Sequence, residues 1–180
     1  MENNSKISSG MILAVCVDGP YRGLIGVGNA LPWTLPRIIK NDGDENPIMN
    51  DSQLLRYVTM QHHHLIAGAE SIPSCGYPSR TVHIASRSTG NSIEKLLREY
   101  PGAIVCGGVE IYHAAANLVD VLYITRVSGF TFSESNPVPS LSDLKCVDID
   151  MILSNFPVIV KTIPLAGTAI LTVYAEIRTR

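Results

Sequence analysis

The chain has 180 residues, of which 46% are hydrophobic, and its mean hydropathy is +0.18. This length and composition fit one globular domain with a full core and argue against a disordered protein. The formal net charge of -2 and the pI near 6.2 give no basic surface, so we expect no nucleic-acid partner. No run of about 18 apolar residues occurs, so we also expect no membrane partner.

Residues 1–10, MENNSKISSG, are polar and lack the apolar region of a signal peptide. We predict a disordered N-terminal extension over residues 1–10 and a single domain over residues 11–180. The four cysteines stand far apart in the chain and form no C-x-x-C pair. This pattern favours free thiols and a cytoplasmic protein.

The first half of the chain predicts a buried strand, a loop and a helix. MILAVCV, residues 11–17, is a continuous apolar run of strand length. IGVGNALPW is interrupted by glycine and proline and predicts a loop. NDSQLLRYVTM has apolar residues at helical spacing, after a capping residue that is either Asn50 or Asp51.

The second half predicts strands and helices in alternation. HLIAG, TVHIAS, AIVCGG and VLYITRV have the length and composition of strands, whereas NSIEKLLREY and VEIYHAAANL predict helices. FPVIVKTI and LTVYAEIRTR predict an antiparallel hairpin at the end of the chain. We therefore expect a three-layer α/β fold, with a mostly parallel central sheet of about eight strands and an antiparallel C-terminal strand.

Three stretches of the chain resemble dihydrofolate reductase: IGVGNALPWTLP, IVCGGVEIYHAAANLVDVLYITRV and the closing TVYAEIRTR. With gaps, the similarity runs from about Met11 to Arg180. It implies a dihydrofolate-reductase-like fold, a monomer, and the NADPH-dependent reduction of 7,8-dihydrofolate to 5,6,7,8-tetrahydrofolate in one-carbon metabolism. Two alternatives stay open, a related pterin or pyrimidine reductase and a binding or structural protein that kept the fold with little turnover.

The Gly107-Gly108 pair ends a predicted buried strand and opens a helix. Glycine allows a backbone to approach a ligand closely, and a helix N-terminus offers free N–H groups to a pyrophosphate. The resemblance implies a cis bond within this pair and a loop around LPWTLP that closes over the nicotinamide. The residues that it implies for cofactor binding are Ala14, Ile25, Asn29, Ala30, Leu31, Ser71, Ser86, Arg87, Gly107, Gly108, Val109, Glu110, Ile111 and Tyr112.

The residues at the positions that bind the 2′-phosphate of NADPH depart from the family's pattern. Arg87 follows a predicted strand, and its guanidinium suits a phosphate. Ala69 and Glu110 stand where the family often has a cation. We expect NADPH as the cofactor, with the strength of its preference over NADH left open.

The position of the family's catalytic carboxylate in this chain depends on where the counting starts. Counting forward from LPWTLP places it on Ile38, which cannot serve. Counting backward from HLIAG places it on Asp51, with residues of about 38–50 inserted before the helix. A carboxylate is favoured at a helix N-terminus. The competing acids Asp42 and Asp44 begin no amphipathic helix, so we predict Asp51.

Thr125 is a hydroxyl in an apolar strand, and a buried hydroxyl needs a partner. In the family the matching threonine bonds the catalytic carboxylate, and Trp33 completes the implied catalytic set of Asp51, Thr125 and Trp33. Arg80 matches the arginine that binds the glutamate tail of folate, for which a guanidinium is suited. The residues implied for substrate binding are Ile12, Leu13, Asp51, Leu55, Arg80, Cys106 and Thr125.

Two patterns could suggest a metal. His62, His63 and His64 are adjacent, so they cannot all face one ion. The acidic NDGDE segment lacks the later glutamate of a calcium-binding loop. We expect no metal site.

Overall fold

The computed structural model describes residues 8–33, 50–72, 76–133, 139–165 and 169–175. The predicted extension before residue 8, the competing acids Asp42 and Asp44, and all of the predicted insertion except Asn50 lie outside these ranges. The strands are β1 Gly10–Cys16, β2 Leu24–Val27, β3 His64–Ala67, β4 Thr81–Ile84, β5 Ile104–Val105, β6 Val121–Val127, β7 Leu144–Cys146, β8 Val158–Pro164 and β9 Ala169–Ala175. The helices are α1 Asp51–Met60, α2 Ile93–Glu99, α3 Val109–Ala115 and α4 Ile149–Ser154.

The main sheet has the strand order β4-β3-β5-β1-β6-β9-β8. Its first five strands are parallel, and β9 runs antiparallel to both β6 and β8. The predicted mostly parallel sheet and the antiparallel C-terminal strand are confirmed. The expected number of about eight strands is not matched, because the described part of the main sheet has seven.

The other two described strands form a separate sheet, which the sequence did not reveal. β2, in a segment that we predicted to be a loop, pairs antiparallel with β7, and a register shift lies between Leu24 and Gly26. About 120 residues separate these two strands in the chain, so no local sequence pattern predicts their pairing. Helix α4 was also missed; it has only six residues and is capped by Asp148, whose Oδ1 accepts from the N–H of Met151 at 2.9 Å.

The fold begins before residue 11. Gly10 is the first residue of β1, and the Ser9 carbonyl accepts a hydrogen bond from the Asp120 N–H at 2.9 Å. The N–H of Gly102 donates to Ser9 Oγ at 3.2 Å. Gly10, which we placed in the extension, therefore belongs to the sheet, and Ser9 before it is hydrogen-bonded to Gly102 and Asp120.

The two faces of the sheet carry separate apolar clusters, because side chains alternate along each strand. Met11, Leu13 and Val15 of β1 pack on the face that α3 covers. Ile12 packs on the opposite face with Leu54 of α1. We call these the α3 face and the α1 face.

The layout of the connections places a crevice between β1 and β5. After β1 the chain moves to β3 on one side, and after β5 it moves across β1 to β6 on the other side. Neighbouring parallel strands whose connections leave in opposite directions form a crevice at their carboxyl ends, where ligands of open α/β sheets bind. Within the described ranges, no helix combines the length and the apolar character that crossing a membrane requires.

Candidate active site

Asp51 is the first residue of α1, and the adjacent Asn50 caps the helix. The N–H of Gln53 donates to Asn50 Oδ1 at 2.9 Å, and the N–H of Asn50 donates to Gln53 Oε1 at 3.0 Å. This reciprocal pair is a capping box. Because Asn50 performs the capping, the Asp51 carboxylate is available for another partner.

That partner is Thr125, on β6. Thr125 is fully buried, and its Oγ1 donates a hydrogen bond to Asp51 Oδ1 at 2.6 Å. Residue 125 lies beside Ala14 in the parallel pairing of β6 with β1. Ala14 is partly exposed, whereas the other six residues of β1 are buried. The carboxylate is thus held next to the point where the central strand opens to the surface.

Burial raises the pKa of Asp51 above its ordinary value of 3.8, and the hydrogen bond from Thr125 opposes this by lowering it. The desolvation effect is the larger of the two. A carboxyl group with a raised pKa in a crevice is suited to proton exchange near neutral pH.

Several predicted site residues form an apolar cluster on the α1 face, together with Leu54 of the helix that carries Asp51. Ile12 and Cys106 are buried in the same cluster, and Leu55 and Trp33 are partly buried against it. Leu13 differs, because its side chain packs on the α3 face. The structure therefore brings together Ile12, Leu55, Cys106 and Trp33, but not the side chain of Leu13.

Trp33 brings a polar atom into this apolar cluster. Its ring packs edge-on against Phe130, with the centroids 5.7 Å apart. The indole Nε1 is buried and has no hydrogen-bond acceptor among the described residues. A buried N–H without an acceptor is costly, so a ligand or a water that accepts from it would be stabilised.

Arg80 lies at the other end of α1. Its Nη1 donates to Thr59 Oγ1, its Nε donates to the Pro78 carbonyl at 3.1 Å, and its guanidinium lies 5.2 Å from the Tyr77 ring centroid. Thr59 is eight residues after Asp51, which corresponds to about 12 Å along a helix. The acid and the guanidinium therefore suit a ligand whose ring and acidic tail are well separated.

Two groups near the carboxylate are held in their uncharged forms. Burial raises the pKa of the Cys106 thiol to about 12, although the positive charge of Arg80 lowers it. Burial also raises the pKa of Tyr112 well above its usual range. The Tyr112 hydroxyl donates to the Ile12 carbonyl at 3.0 Å and so joins α3 to β1 across the crevice. A carbonyl oxygen has two lone pairs, so Ile12 can still accept from a ligand.

Gly107 and Gly108 follow Cys106, the first residue after β5, and the bond between them is cis, as the resemblance implied. The Gly107 carbonyl accepts from the N–H of Gly68 at 2.9 Å. A Cβ on Gly107 would lie 3.0 Å from Tyr112 Oη, and one on Gly108 would lie 2.9 Å from Ser71 Oγ. A side chain at Gly107 would be strained by the positive φ of 127° and crowded by Tyr112, whereas one at Gly108 would first meet the Ser71 hydroxyl, which can rotate away.

The loop after β2 carries three more of the predicted cofactor residues. Ala30 and Val27 exchange two backbone hydrogen bonds, at 2.9 and 3.0 Å, while Leu31 is exposed. Asn29 Oδ1 accepts from Lys145 Nζ at 3.3 Å. Lys145 also lies 3.8 Å from Glu70 Oε2. Sequence reasoning missed Lys145, because it reaches the site only through the unforeseen pairing of β7 with β2.

The remaining predicted cofactor residues lie on three segments: Ile25 is in β2, residues 86 and 87 follow β4, and residues 109–111 open α3. Ile25, Val109 and Ile111 are partly buried against the α3 face. Ser86 Oγ lies 2.8 Å from Ser88 Oγ. Arg87 Nη2 donates to Glu110 Oε2 at 2.8 Å, so two residues predicted to bind the cofactor are paired with each other.

The neighbouring histidines point to different partners. His62 Nδ1 lies 2.7 Å from the Gly102 carbonyl, and His64 Nδ1 lies 3.1 Å from His83 Nε2. In the part of the chain that the structure describes, no three histidine, cysteine or acidic residues are grouped so that they could hold a metal ion.

Comparison with known proteins gives a structural likeness without a sequence match. No protein-family model matches the chain, and no curated protein matches it. A similar solved structure is dihydrofolate reductase from Enterococcus faecalis, complexed with NADP(H) and RAB-propyl. The two share 19% sequence identity, and the alignment covers 95% of this chain and 97% of that one, with a TM-score of 0.56. The chain therefore has a dihydrofolate-reductase-like fold.

Proposed function

We propose that this chain reduces 7,8-dihydrofolate to 5,6,7,8-tetrahydrofolate with NADPH. The observation that carries this proposal is the hydrogen bond between Thr125 and Asp51, because it holds a desolvated carboxyl group at the ligand crevice of a dihydrofolate-reductase-like fold. The solved structure with the similar fold contains NADP(H), which supports a nicotinamide cofactor in the same crevice.

The roles on the substrate side follow from the chemistry of the residues present. Asp51 accepts hydrogen bonds from the pterin ring and favours protonation of its N5 through a water molecule. Thr125 fixes the orientation of the carboxylate. Trp33 Nε1 donates to the ligand or to that water, which satisfies its buried N–H. Arg80 binds the glutamate tail, since a guanidinium can bond both oxygens of a carboxylate.

The residues beside β5 fit a nicotinamide dinucleotide. Because Gly107 and Gly108 have no side chains, a ligand can approach their main chain closely at the crevice. The partly exposed Ala14 adds only a small side chain there. NADPH, when bound, supplies the hydride that is transferred to C6 of the pterin. Tyr112 holds β1 and α3 together around that position, and the loop with Ala30 and Leu31 excludes water.

A turnover assay tests the proposal against its alternatives. The purified chain is mixed with NADPH, and the loss of the ultraviolet absorbance of NADPH is followed with dihydrofolate, with a dihydropterin that lacks the glutamate tail, and without either. We expect rapid loss that requires dihydrofolate and is slower with the tail-less pterin. Equal rates with both pterins would favour a general pterin reductase. Cofactor binding without turnover on any of them would favour a binding protein and contradict the proposal.

A further inference from the structure

The pairing of Arg87 with Glu110 bears on which nicotinamide cofactor the chain prefers. Arg87 lies in the turn after β4, between Ser86 and Asn91, which form an isolated β-bridge. Glu110 is the second residue of α3, two positions after Gly108. The 2.8 Å contact therefore joins the turn to the helix at one end of the proposed dinucleotide site.

The two side chains suit different forms of the adenosine ribose. A guanidinium binds the 2′-phosphate of NADPH, whereas a carboxylate accepts a hydrogen bond from the free 2′-hydroxyl of NADH. A 2′-phosphate that reaches Arg87 comes close to the carboxylate of Glu110, and these like charges repel. The same carboxylate favours a ribose that carries only hydroxyl groups.

The pair can open for either ligand because it is exposed. The Arg87 side chain is 89% exposed and that of Glu110 is 75% exposed. Exposed ion pairs contribute little to stability, so a ligand that separates them loses little. Residue 69, beside the same glycine turn, is alanine, and the nearby Lys145 is already engaged with Glu70 and Asn29.

We infer that Glu110 sets the cofactor specificity of this site, and that the chain binds NADH and NADPH with similar affinity. NADPH is bound through Arg87 and NADH through Glu110. The inference rests on the proposed function only in taking the crevice beside Gly107 and Gly108 as the dinucleotide site. It does not depend on which molecule is reduced.

The test compares the dissociation constants of NADPH and NADH, measured from the fluorescence of the reduced nicotinamide at low ionic strength. For the wild-type chain we expect the two constants to lie within about tenfold of each other, the scale of one charge-assisted contact. Glu110→Gln keeps the shape of the side chain and removes its charge. We expect it to shift the ratio toward NADPH by about tenfold, and Arg87→Gln to shift it toward NADH by a similar factor.

Glu94→Gln is the matched control. Glu94 forms an exposed ion pair with Arg98 on α2, at the same distance of 2.8 Å. Glu94→Gln changes the net charge by the same amount as Glu110→Gln. We expect this variant to leave the ratio unchanged. An unchanged ratio in Glu110→Gln, or a wild-type preference for NADPH far above tenfold, would overturn the inference even if dihydrofolate is reduced. Failure to bind either nucleotide would overturn it together with the cofactor assignment, whereas binding without turnover would leave it standing.

Discussion

The Asp51–Thr125 pair and the Arg87–Glu110 pair are both short contacts to a carboxylate, at 2.6 and 2.8 Å, but they lie in opposite environments. Thr125 is buried, and burial raises the pKa of Asp51. Arg87 and Glu110 are both well exposed. Water and salt weaken an exposed contact, whereas a buried polar group depends fully on its partner.

Under the proposed function, this difference distinguishes the residues that would assist the reaction from those that would select the cofactor. The partly buried Asp51 carboxylate accepts a hydrogen bond from Thr125, so the fold constrains its protonation and its position. A ligand can separate the exposed pair at little cost in free energy, so Arg87 and Glu110 are each available to bind a ligand. Substitutions at the buried pair should therefore change the rate, and substitutions at the exposed pair should change affinity ratios.

The largest expected effect is on the rate of hydride transfer. Asp51→Asn keeps the shape of the side chain and an oxygen that accepts from Thr125, but it removes the charge. We expect cofactor binding to persist and hydride transfer at neutral pH to slow by on the order of 10²-fold or more, the scale of lost acid–base assistance. Single-turnover kinetics with dihydrofolate measure this. Asp42→Asn and Asp44→Asn serve as controls, and a large loss in either with none in Asp51→Asn would show that the insertion was aligned wrongly.

A second effect should appear in cofactor affinity. Gly108→Ala adds a methyl group where the main chain would meet the cofactor, and crowding of this kind costs about 1–3 kcal/mol, or roughly 5- to 150-fold in affinity. The methyl group would also meet Ser71 Oγ at 2.9 Å. Gly108→Ala combined with Ser71→Ala removes that internal clash. Compared with Ser71→Ala alone, the double variant should still bind NADPH weakly; recovery of the affinity would show that the glycine serves packing within the chain.

A third, smaller effect distinguishes folate from other pterins. Arg80→Leu removes the predicted partner of the glutamate tail, and a charge-assisted bond of roughly 1.5–3 kcal/mol corresponds to about tenfold or more in affinity. We expect KM for dihydrofolate to rise by that factor, with little change for a dihydropterin that lacks the tail. Arg98→Leu, on α2, removes the same charge away from the site and should change neither value. A parallel rise for both pterins would assign Arg80 to the structure of the fold alone.

The smallest effect concerns stability. Because the pKa of Asp51 is raised in the folded chain, the stability that its protonated form contributes is fully present below the unfolded value of 3.8 and is lost as pH rises through the folded value. Asp51→Asn carries no such charge, so it should be more stable than the wild type at neutral pH. We expect roughly 1 kcal/mol, or about 2–4 °C in Tm. Thermal unfolding across pH checks this, and an advantage that grows on acidification would contradict it.

The regular elements were predictable because their signals are local. The buried strand β1, the helices α1 to α3 and the terminal hairpin each show their own periodicity or capping residues. The β2–β7 sheet was not predictable, because its pairing joins segments far apart in the chain and β2 contains a glycine and a register shift. Lys145 was missed for the same reason.

The candidate site also combines features that the sequence predicted with features that only the folded structure shows. The counting argument chose Asp51, and the resemblance implied its bond to Thr125, which the structure contains. The structure adds that Asn50, and not Asp51, caps α1, a choice that the sequence left open. The salt bridge between Arg87 and Glu110 was not predictable, since each residue was considered separately as a cofactor contact. Which side chains meet across a crevice depends on the folded geometry of both elements.

The pH dependence of single-turnover hydride transfer tests the role of Asp51 most directly. For the wild type, the rate should fall as pH rises through one apparent pKa above 3.8, because Asp51 is desolvated. In Thr125→Val that pKa should be higher than in the wild type, because the variant loses the hydrogen bond that lowers it. Thr125→Ser keeps the hydroxyl, so its apparent pKa should be close to that of the wild type. The same inflection in Asp51→Asn, unmoved from its wild-type position, would contradict the assignment of Asp51 as the acid that assists the reaction.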